Sequence, residues 1–546
     1  MKILGFINAF DELSEPDRRL GRKVANYGVV AALLEHSRFD ELHFFLPFQG
    51  ALTPFQRIYA PWLEQPELAG RVRLLPAQAL PAALERTAYT ALHAPELDRY
   101  LPELCHLRNR VARQPAPITC VTHTLSYWPT QVRNLYKVLP GAMPYDAVIC
   151  TSRAARDHLS RALAASTLRL RSLGLAGAGF GGRLEIAPLG VRLADFPPLS
   201  PAEARARLDL DGEDFTLLSL GRLSPSDKCD LAPLLGAMAV LAERGISARL
   251  LLAGGGGAGY GQSLLEQARR LGLEGRVHLF VDFDSELKPA LLAAADVVVA
   301  LTDNLQETFG LSIIEAMAAG RPVVASDFSG YRDLVVEGRT GFLLPTLGPA
   351  SYEPLDAVWT ILPEHIAALQ VAQRTAVDLD VLVERLARLA ADPALRQRLG
   401  QTARQRAAER FDWGRVVPKL EDLWLRLHDQ AQALGRPPQV TDVLGAGQGE
   451  LFGHFPSQAI APELVLVPGP LAARRRAGGW AEVPYPDAGV SLPPADLDRV
   501  LAALEARGQR ASLAELQADL APAMPAYQCE HLVLWALKYG LLSRAA

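Results

Sequence analysis

Cysteine is scarce in this chain: five in 546 residues, at Cys105, Cys120, Cys150, Cys229 and Cys529, an odd and scattered set. No Cys-x-x-Cys pair or histidine cluster has metal-ligand spacing, so neither a disulfide framework nor a metal site is expected. Reduced thiols in a cytoplasmic protein are. An excess of one charge is also missing. The 56 basic and 60 acidic residues leave a formal charge of −4, which speaks against nucleic-acid binding, where a basic excess or stripe is the usual footprint. The one compact basic run, Arg474, Arg475 and Arg476, reads as a solvated loop. Long apolar runs are absent too. Nothing approaches the roughly eighteen residues of a membrane span, and the best candidate, residues 291–301, carries Asp296. The N-terminal Met-Lys-Ile-Leu-Gly-Phe has no long apolar core and no cleavage site, and reads as a first strand, not a signal peptide.

What the chain does have is ordinary enzyme composition, 49% apolar and 21% charged, in a length too great for one hydrophobic core. Short apolar runs bounded by turn residues recur at 3–7, 42–46, 118–122 and 147–150, with helix-period stretches at 24–34 and 153–163 between them. Residues 184–191 close this half with a strand and a turn, and the Pro-rich joint 196–201 follows. A second alternation then places strands at 215–220, 248–253, 277–281, 297–301, 322–325 and 341–344, with helices at 231–244, 264–271, 287–294 and 311–319. Strands alternating with helices imply parallel sheets covered on both faces. The expected organisation is α/β: a first Rossmann-like domain over 1–195, a second over 196–405, a crossover helix over 406–434 that returns to the first, and a small, mostly helical appendage over 435–546. Residues 511–541 have the rhythm of a small winged-helix-like module, and a helical cap on the rest of the chain is the plainer reading of them.

Chemistry concentrates in two loops of the second domain. Glu307-Thr-Phe-Gly-Leu-Ser-Ile-Ile-Glu315 follows a strand closely and leads into a helix. The first N–H groups of a helix have no partner inside it, so such a corner binds anions, here through the amides of Phe309, Gly310 and Leu311. Glu307 on the loop and Glu315 one turn into the helix are placed to accept hydrogen bonds from two sets of hydroxyls, a sugar's and a ribose's. Two glutamates eight apart could by themselves be an acidic first helical turn. They are accompanied by Gly221-Arg-Leu-Ser-Pro-Ser-Asp-Lys228, which follows the first strand of the same domain. Ligands of open α/β sheets bind outside the carboxyl ends of the strands, so Arg222 and Lys228 would meet a diphosphate whose other side faces the glutamates.

These stretches, with Glu-Ala-Met-Ala-Ala-Gly-Arg-Pro-Val-Val at 315–324 and Gly-Arg-Thr-Gly-Phe-Leu at 338–343, together resemble glycosyltransferase family 4. The likeness is strong over 210–345 and covers 1–430 in organisation; Phe411-Asp-Trp-Gly-Arg-Val-Val is similar to the segment preceding the family's return helix. The resemblance implies a GT-B fold and metal-independent transfer of a sugar from a nucleoside-diphosphate sugar, with retention at the anomeric carbon. By that pattern Arg222 and Lys228 hold the diphosphate, with Gly221 opening their loop. Glu307 and the amides of Phe309, Gly310 and Leu311 bind the donor sugar, Glu315 binds the ribose, and His123 in Val-Thr-His-Thr lines the catalytic cleft. No cofactor is implied beyond the donor itself. The acceptor is left open, a peptide or protein being suggested only by the extra C-terminal module.

The sequence departs from the family in two places. Arg222 and Lys228 are six apart instead of the commoner five, and Cys229 stands where a glycine is usual. Near the N-terminus the expected Gly-Gly turn is replaced by residues 11–23, in which Gly21 would supply the turn and Arg22 or Lys23 positive charge. A rival reading also exists. Gly254-Gly-Gly-Gly-Ala-Gly259 fits the dinucleotide fingerprint after a strand, with Asp282 after the next one, which would make the chain an NAD(P)-dependent oxidoreductase. That reading leaves Arg222, Lys228, Glu307 and Glu315 without a role. A catalytically silent sugar-binding scaffold is the other alternative, and the intact set of motif side chains argues against it.

Overall fold

Strands that are apolar along their whole length build two sheets. The computed structural model describes residues 1–8, 21–256, 258–436, 447–479, 493–521 and 523–545. Strand β1 (Ile3–Ile7) is buried at every position, and β9 (Ala248–Gly254) likewise, the signature of parallel strands covered on both faces. In the first sheet β1 is joined by β2 (Glu41–Leu46), β3 (Val72–Pro76), β4 (Ala91–Ala94), β5 (Ile118–Val121), β6 (Ala147–Cys150) and β7 (Arg183–Ile186), in the order β3-β2-β1-β4-β5-β6-β7. All its pairings are parallel. The second sheet contains β8 (Phe215–Leu220), β9, β10 (Val277–Val281), β11 (Val297–Ala300), β12 (Val323–Ser326) and β13 (Gly341–Leu344), in the order β10-β9-β8-β11-β12-β13, again all parallel.

The α/β architecture is the expected one, with two strands added. Residues 72–76 and 91–94 carry little sequence signal: the first includes Arg73 and ends in Pro76, and the second is Ala-Leu-His-Ala, four residues of modest β-propensity. Their pairing with β2 and β1 decides their state. The helix Trp413–Leu434 packs on the first sheet. Its Trp424 Nε1 donates to Thr119 Oγ1 of β5 at 2.9 Å, and its Glu421 accepts from Ser37 and Arg38.

Strand order matters most for function. In each sheet the winding reverses once, between β1 and β4 in the first and between β8 and β11 in the second. A crevice opens at such a switch point beyond the carboxyl ends of the two strands, and ligands bind there. The loop leaving β8 holds the 221–228 stretch, and the loop leaving β11, residues 301–310, holds the start of the 307–315 stretch singled out in the sequence.

Residues 1–47 and 58–442 form one compact unit, and residues 48–57 and 443–546 a second. The second is less helical than expected. Its helices Pro494–Ala506, Leu513–Leu520 and Ala526–Lys538 accompany a three-stranded antiparallel sheet in which Val465–Pro468 lies between Ala511–Ser512 and Leu542–Arg544. Strands of two to four residues are too short to leave a period in the sequence. Leu466, Val500, Leu516 and Leu532 lie in its core. The basic run is not a loop: it ends the short helix Ala472–Arg476, where Arg475 pairs with Asp498 and Arg476 with Glu505. All five cysteines are free and buried. Among the described residues, no helix is long and apolar enough to cross a membrane.

Candidate active site

The cationic loop begins where β8 ends, and its path depends on a bare backbone opposite. A Cβ on Gly254, at the end of β9, would lie 1.7 Å from the carbonyl oxygen of Gly221. The first glycine of the dinucleotide-like run therefore lets two loops touch. Asp282, the acid that a nicotinamide reading would assign to a ribose, accepts from the Gly256 amide at 3.0 Å.

Side chains from the exit of β11 fasten the cationic loop. Asn304 Nδ2 donates to the Ser226 carbonyl at 2.6 Å, Gln306 Nε2 to Asp227 Oδ1 at 3.3 Å, and Thr302 Oγ1 to the Lys228 carbonyl at 3.4 Å. The wider Arg–Lys spacing is taken up by a turn in which the Lys228 amide donates to the Ser224 carbonyl at 3.0 Å. Cys229 is buried beneath it. Arg222 stays on the loop, donating to the Asp227 carbonyl at 3.2 Å, with the Asp227 carboxylate 3.9 Å away.

Asp303 belongs to the same fastening. Its Oδ2 accepts from the Asp230 amide at 3.2 Å, while Oδ1 is buried with no hydrogen-bond partner among the described residues. Burial pushes its pKa up to about 7, the Asp230 amide opposing and the Asp230 charge adding to the shift. The folded protein therefore binds a proton that the unfolded chain releases near pH ~4. This group's contribution to stability is present at low pH and falls as the pH rises from about 4 to about 7. Urea unfolding of wild type and Asp303→Asn at pH 5 and pH 8 should show the variant gaining relative stability at the higher pH. An unchanged difference would show that Asp303 titrates normally.

Glu307 and Lys228 meet directly. Lys228 Nζ donates to Glu307 Oε2 at 2.5 Å, and Tyr331 Oη donates to the same oxygen at 3.4 Å. Burial disfavours both charges. In Lys228 it is outweighed by the Glu307 carboxylate, Tyr331 and the hydrogen bond, which raise the pKa above the lysine norm. In Glu307 it is outweighed by Lys228, the Phe309 amide and Tyr331, which lower the carboxyl. The Phe309 amide, expected to face a ligand, donates to Glu307 Oε1 at 3.2 Å. Gly310 caps the helix Leu311–Ala318 at φ 115°, a left-handed conformation that favours glycine, and a Cβ there would lie 2.7 Å from the Tyr331 ring. Glu315 follows in that helix and accepts from Lys288 Nζ at 2.8 Å. In the protein alone, the carboxylates and cations expected to share a donor are thus paired in part with one another.

His123 leaves the end of β5 in the other sheet. Its Nε2 donates to the Pro95 carbonyl at 2.8 Å, and its own carbonyl accepts from Thr308 Oγ1 at 2.9 Å. Tyr127 Oη donates to Gln306 Oε1 at 3.1 Å, so the Glu307 loop is tied across the crevice on both sides. All nine sequence-derived site residues (His123, Gly221, Arg222, Lys228, Glu307, Phe309, Gly310, Leu311 and Glu315) line one cavity of about 1250 Å³. Gly21 and Arg22 line it as well, Arg22 paired with Glu96, whereas Lys23 is buried; residues 11–20 lie outside the described residues. Sequence reasoning missed Tyr127, Gln306 and Lys288. None stands in a recognisable pattern, and each reaches the cavity only through the packing of its loop or helix.

Residues 201–352 match the family profile described as Glycosyl transferases group 1. A D-inositol 3-phosphate glycosyltransferase of Frankia alni is 36% identical over 178 residues, 31% of this chain and 42% of the relative. One from Streptomyces avermitilis is 32% identical over 251 residues, 44% of this chain and 47% of the relative. The matches thus span about half the length of these curated relatives. Among solved structures, sucrose-phosphate synthase of Thermosynechococcus elongatus superposes with a TM-score of 0.51 at 20% identity, over 79% of this chain and 100% of that one. Anabaena HepE in complex with UDP gives 0.51 at 20% identity, over 77% and 99%. A glycosyltransferase of Rickettsia africae gives 0.53 at 13%, over 78% and 98%. Such identities show the fold. The chain has the GT-B fold, and its residues 201–352 match the profile of the glycosyl transferases of group 1.

Proposed function

We propose that this chain is a retaining glycosyltransferase of family 4 that moves a sugar from a nucleoside-diphosphate sugar to a hydroxyl-bearing acceptor. The observation that carries the reading is the convergence of Arg222, Lys228, Glu307 and Glu315 on one cavity, at a switch point and opposite His123. Arg222 and Lys228 hold the diphosphate, Glu315 takes the ribose, and Glu307 takes the donor sugar once Lys228 has turned to the phosphates. The complexes of HepE with UDP and with UDP-glucose support a donor of this class.

In the proposed step the bond between the anomeric carbon and the phosphate oxygen breaks, its electron pair passing to the nucleoside diphosphate. The acceptor oxygen bonds to the same face of that carbon, and its proton goes to a leaving phosphate oxygen. Negative charge grows on the diphosphate, where Arg222, the turned Lys228 and the Gly310 corner meet it. Preorganised groups of this kind each contribute about 10²–10³ in rate, so the step calls on no metal. The five buried thiols suit a reducing, cytoplasmic setting.

Thermal unfolding against UDP, GDP, ADP, their sugar conjugates and NAD(P) tests the reading. A ligand at about a hundred times its dissociation constant stabilises by roughly 2.7 kcal/mol. The expected result is a shift with one nucleoside diphosphate that disappears in Arg222→Ala and Glu315→Ala. A shift with NAD(P) alone, indifferent to both substitutions, would overturn the reading.

A further inference from the structure

Lys288 has no role in the site as read so far, and its position is not explained by helix stability. It is the first residue of the helix Lys288–Ala294, the end at which a cation is disfavoured by the helix dipole. Its side chain nevertheless turns inward, 26% exposed, to a Glu315 carboxylate that is 13% exposed, and both residues line the cavity. Nζ donates to Glu315 Oε1 at 2.8 Å. Glu315 Oε2 has no hydrogen-bond partner among the described residues. Asp195, whose nearer cation is Arg192, also lies within electrostatic reach of both groups.

We propose that Lys288 is a positioning residue of the donor site: it fixes the Glu315 carboxylate by one oxygen so that the other accepts from the vicinal hydroxyls of a nucleotide ribose. The inference rests on the proposed donor reading and deepens it. A glutamate side chain has three torsions to freeze, and an ion pair that freezes them before the ligand arrives removes that cost from binding. A charge-assisted hydrogen bond from a ribose hydroxyl to a held carboxylate is also among the stronger kinds. In this proposal Lys288 acts through Glu315 and not on the phosphates, which have Arg222 and Lys228.

The chemical signature is a preference for ribose over a sugar without the diol. Calorimetry would measure binding of UDP, GDP and ADP and of their 2′,3′-dideoxy analogues to wild type, Lys288→Met, Lys288→Gln and Lys288→Arg, each first checked for an unaltered melting transition. Wild type should prefer the ribonucleotide by about tenfold or more. Lys288→Met and Lys288→Gln should lose most of that preference while binding the dideoxy analogue within about threefold of wild type, and Lys288→Arg should keep it. Equal weakening of both ligands would place Lys288 on the phosphates or base and overturn the proposal. So would an undiminished preference in Lys288→Met. Failure of wild type to bind any of the three diphosphates is a separate outcome, and it overturns the donor reading together with this inference.

Discussion

Methionine in place of Lys228 is expected to cut sugar transfer by at least about a hundredfold and also to destabilise the fold. The two effects have one origin. Lys228 and Glu307 are 20% and 15% exposed and 2.5 Å apart, and removing the cation leaves the carboxylate in the wall with only the Phe309 amide and Tyr331 as donors. Breaking a buried pair from one side costs about 3–5 kcal/mol, and the residual exposure here puts the expectation at the lower end. Adding Glu307→Gln should restore much of the stability without restoring transfer, because a neutral amide tolerates burial that an unpaired carboxylate does not. Denaturant midpoints and single-turnover rates of the four proteins would show it. Strict additivity in stability would mean that the two side chains are not coupled as they lie.

The pair should be insensitive to pH across the neutral range. Lys228 has a raised pKa, so its contribution is fully present below the ordinary lysine value near ~10.4 and lost only above it. Glu307 has a lowered one, so its contribution is present above ~4.3 and lost as the pH falls through the lowered value. Of Lys228, Glu307 and Asp303, only Asp303 should change its contribution between pH 5 and 8.

Asp146→Asn should be the more damaging change to the fold, costing about 3–5 kcal/mol although it lies far from any chemistry. Asp146 and Arg108 are wholly buried at the amino edge of the first sheet. The guanidinium spans the carboxylate with two bonds of 2.8 and 2.7 Å, and the same oxygens accept from the Ile118 and Met143 amides at 2.8 and 2.7 Å. Burial would lower the Arg108 pKa, but Asp146 outweighs it and holds the group above its usual value. An asparagine offers one acceptor oxygen in place of two and leaves the arginine charge uncompensated. Urea unfolding should show the loss, while nucleotide affinity of the folded fraction stays within about threefold, because the loops proposed to hold the donor leave the second sheet. A variant as stable as wild type would mean that the network contributes little.

How much of this was legible beforehand differs from element to element. Strands such as 215–220 and 248–253 announced themselves because parallel strands buried on both faces are continuous aliphatic runs. Residues 72–76 and 91–94 did not, since their neighbours and not their own residues make them strands. Arg222, Lys228, Glu307 and Glu315 could be singled out because each stands in a loop pattern of the sequence, and the structure places all four on one cavity. Lys288, Tyr127 and Gln306 were hidden, because a lone lysine, tyrosine or glutamine carries no pattern until folding brings it to a wall. The three strands of the second unit escaped for lack of length.

The sequence by itself determined the class of fold, the two-sheet organisation and the loops that carry the candidate site residues, because periodicity and loop chemistry are local and survive without coordinates. Only the tertiary structure decided the strand order that sets 221–228 beside 301–310. It alone also decided the Lys228–Glu307 and Lys288–Glu315 pairings and the hydrogen bonds that bring His123 and Tyr127 to the Glu307 loop. Each of these joins residues from 27 to 185 positions apart, and contacts of that span depend on how helices and sheets pack, which no local pattern encodes.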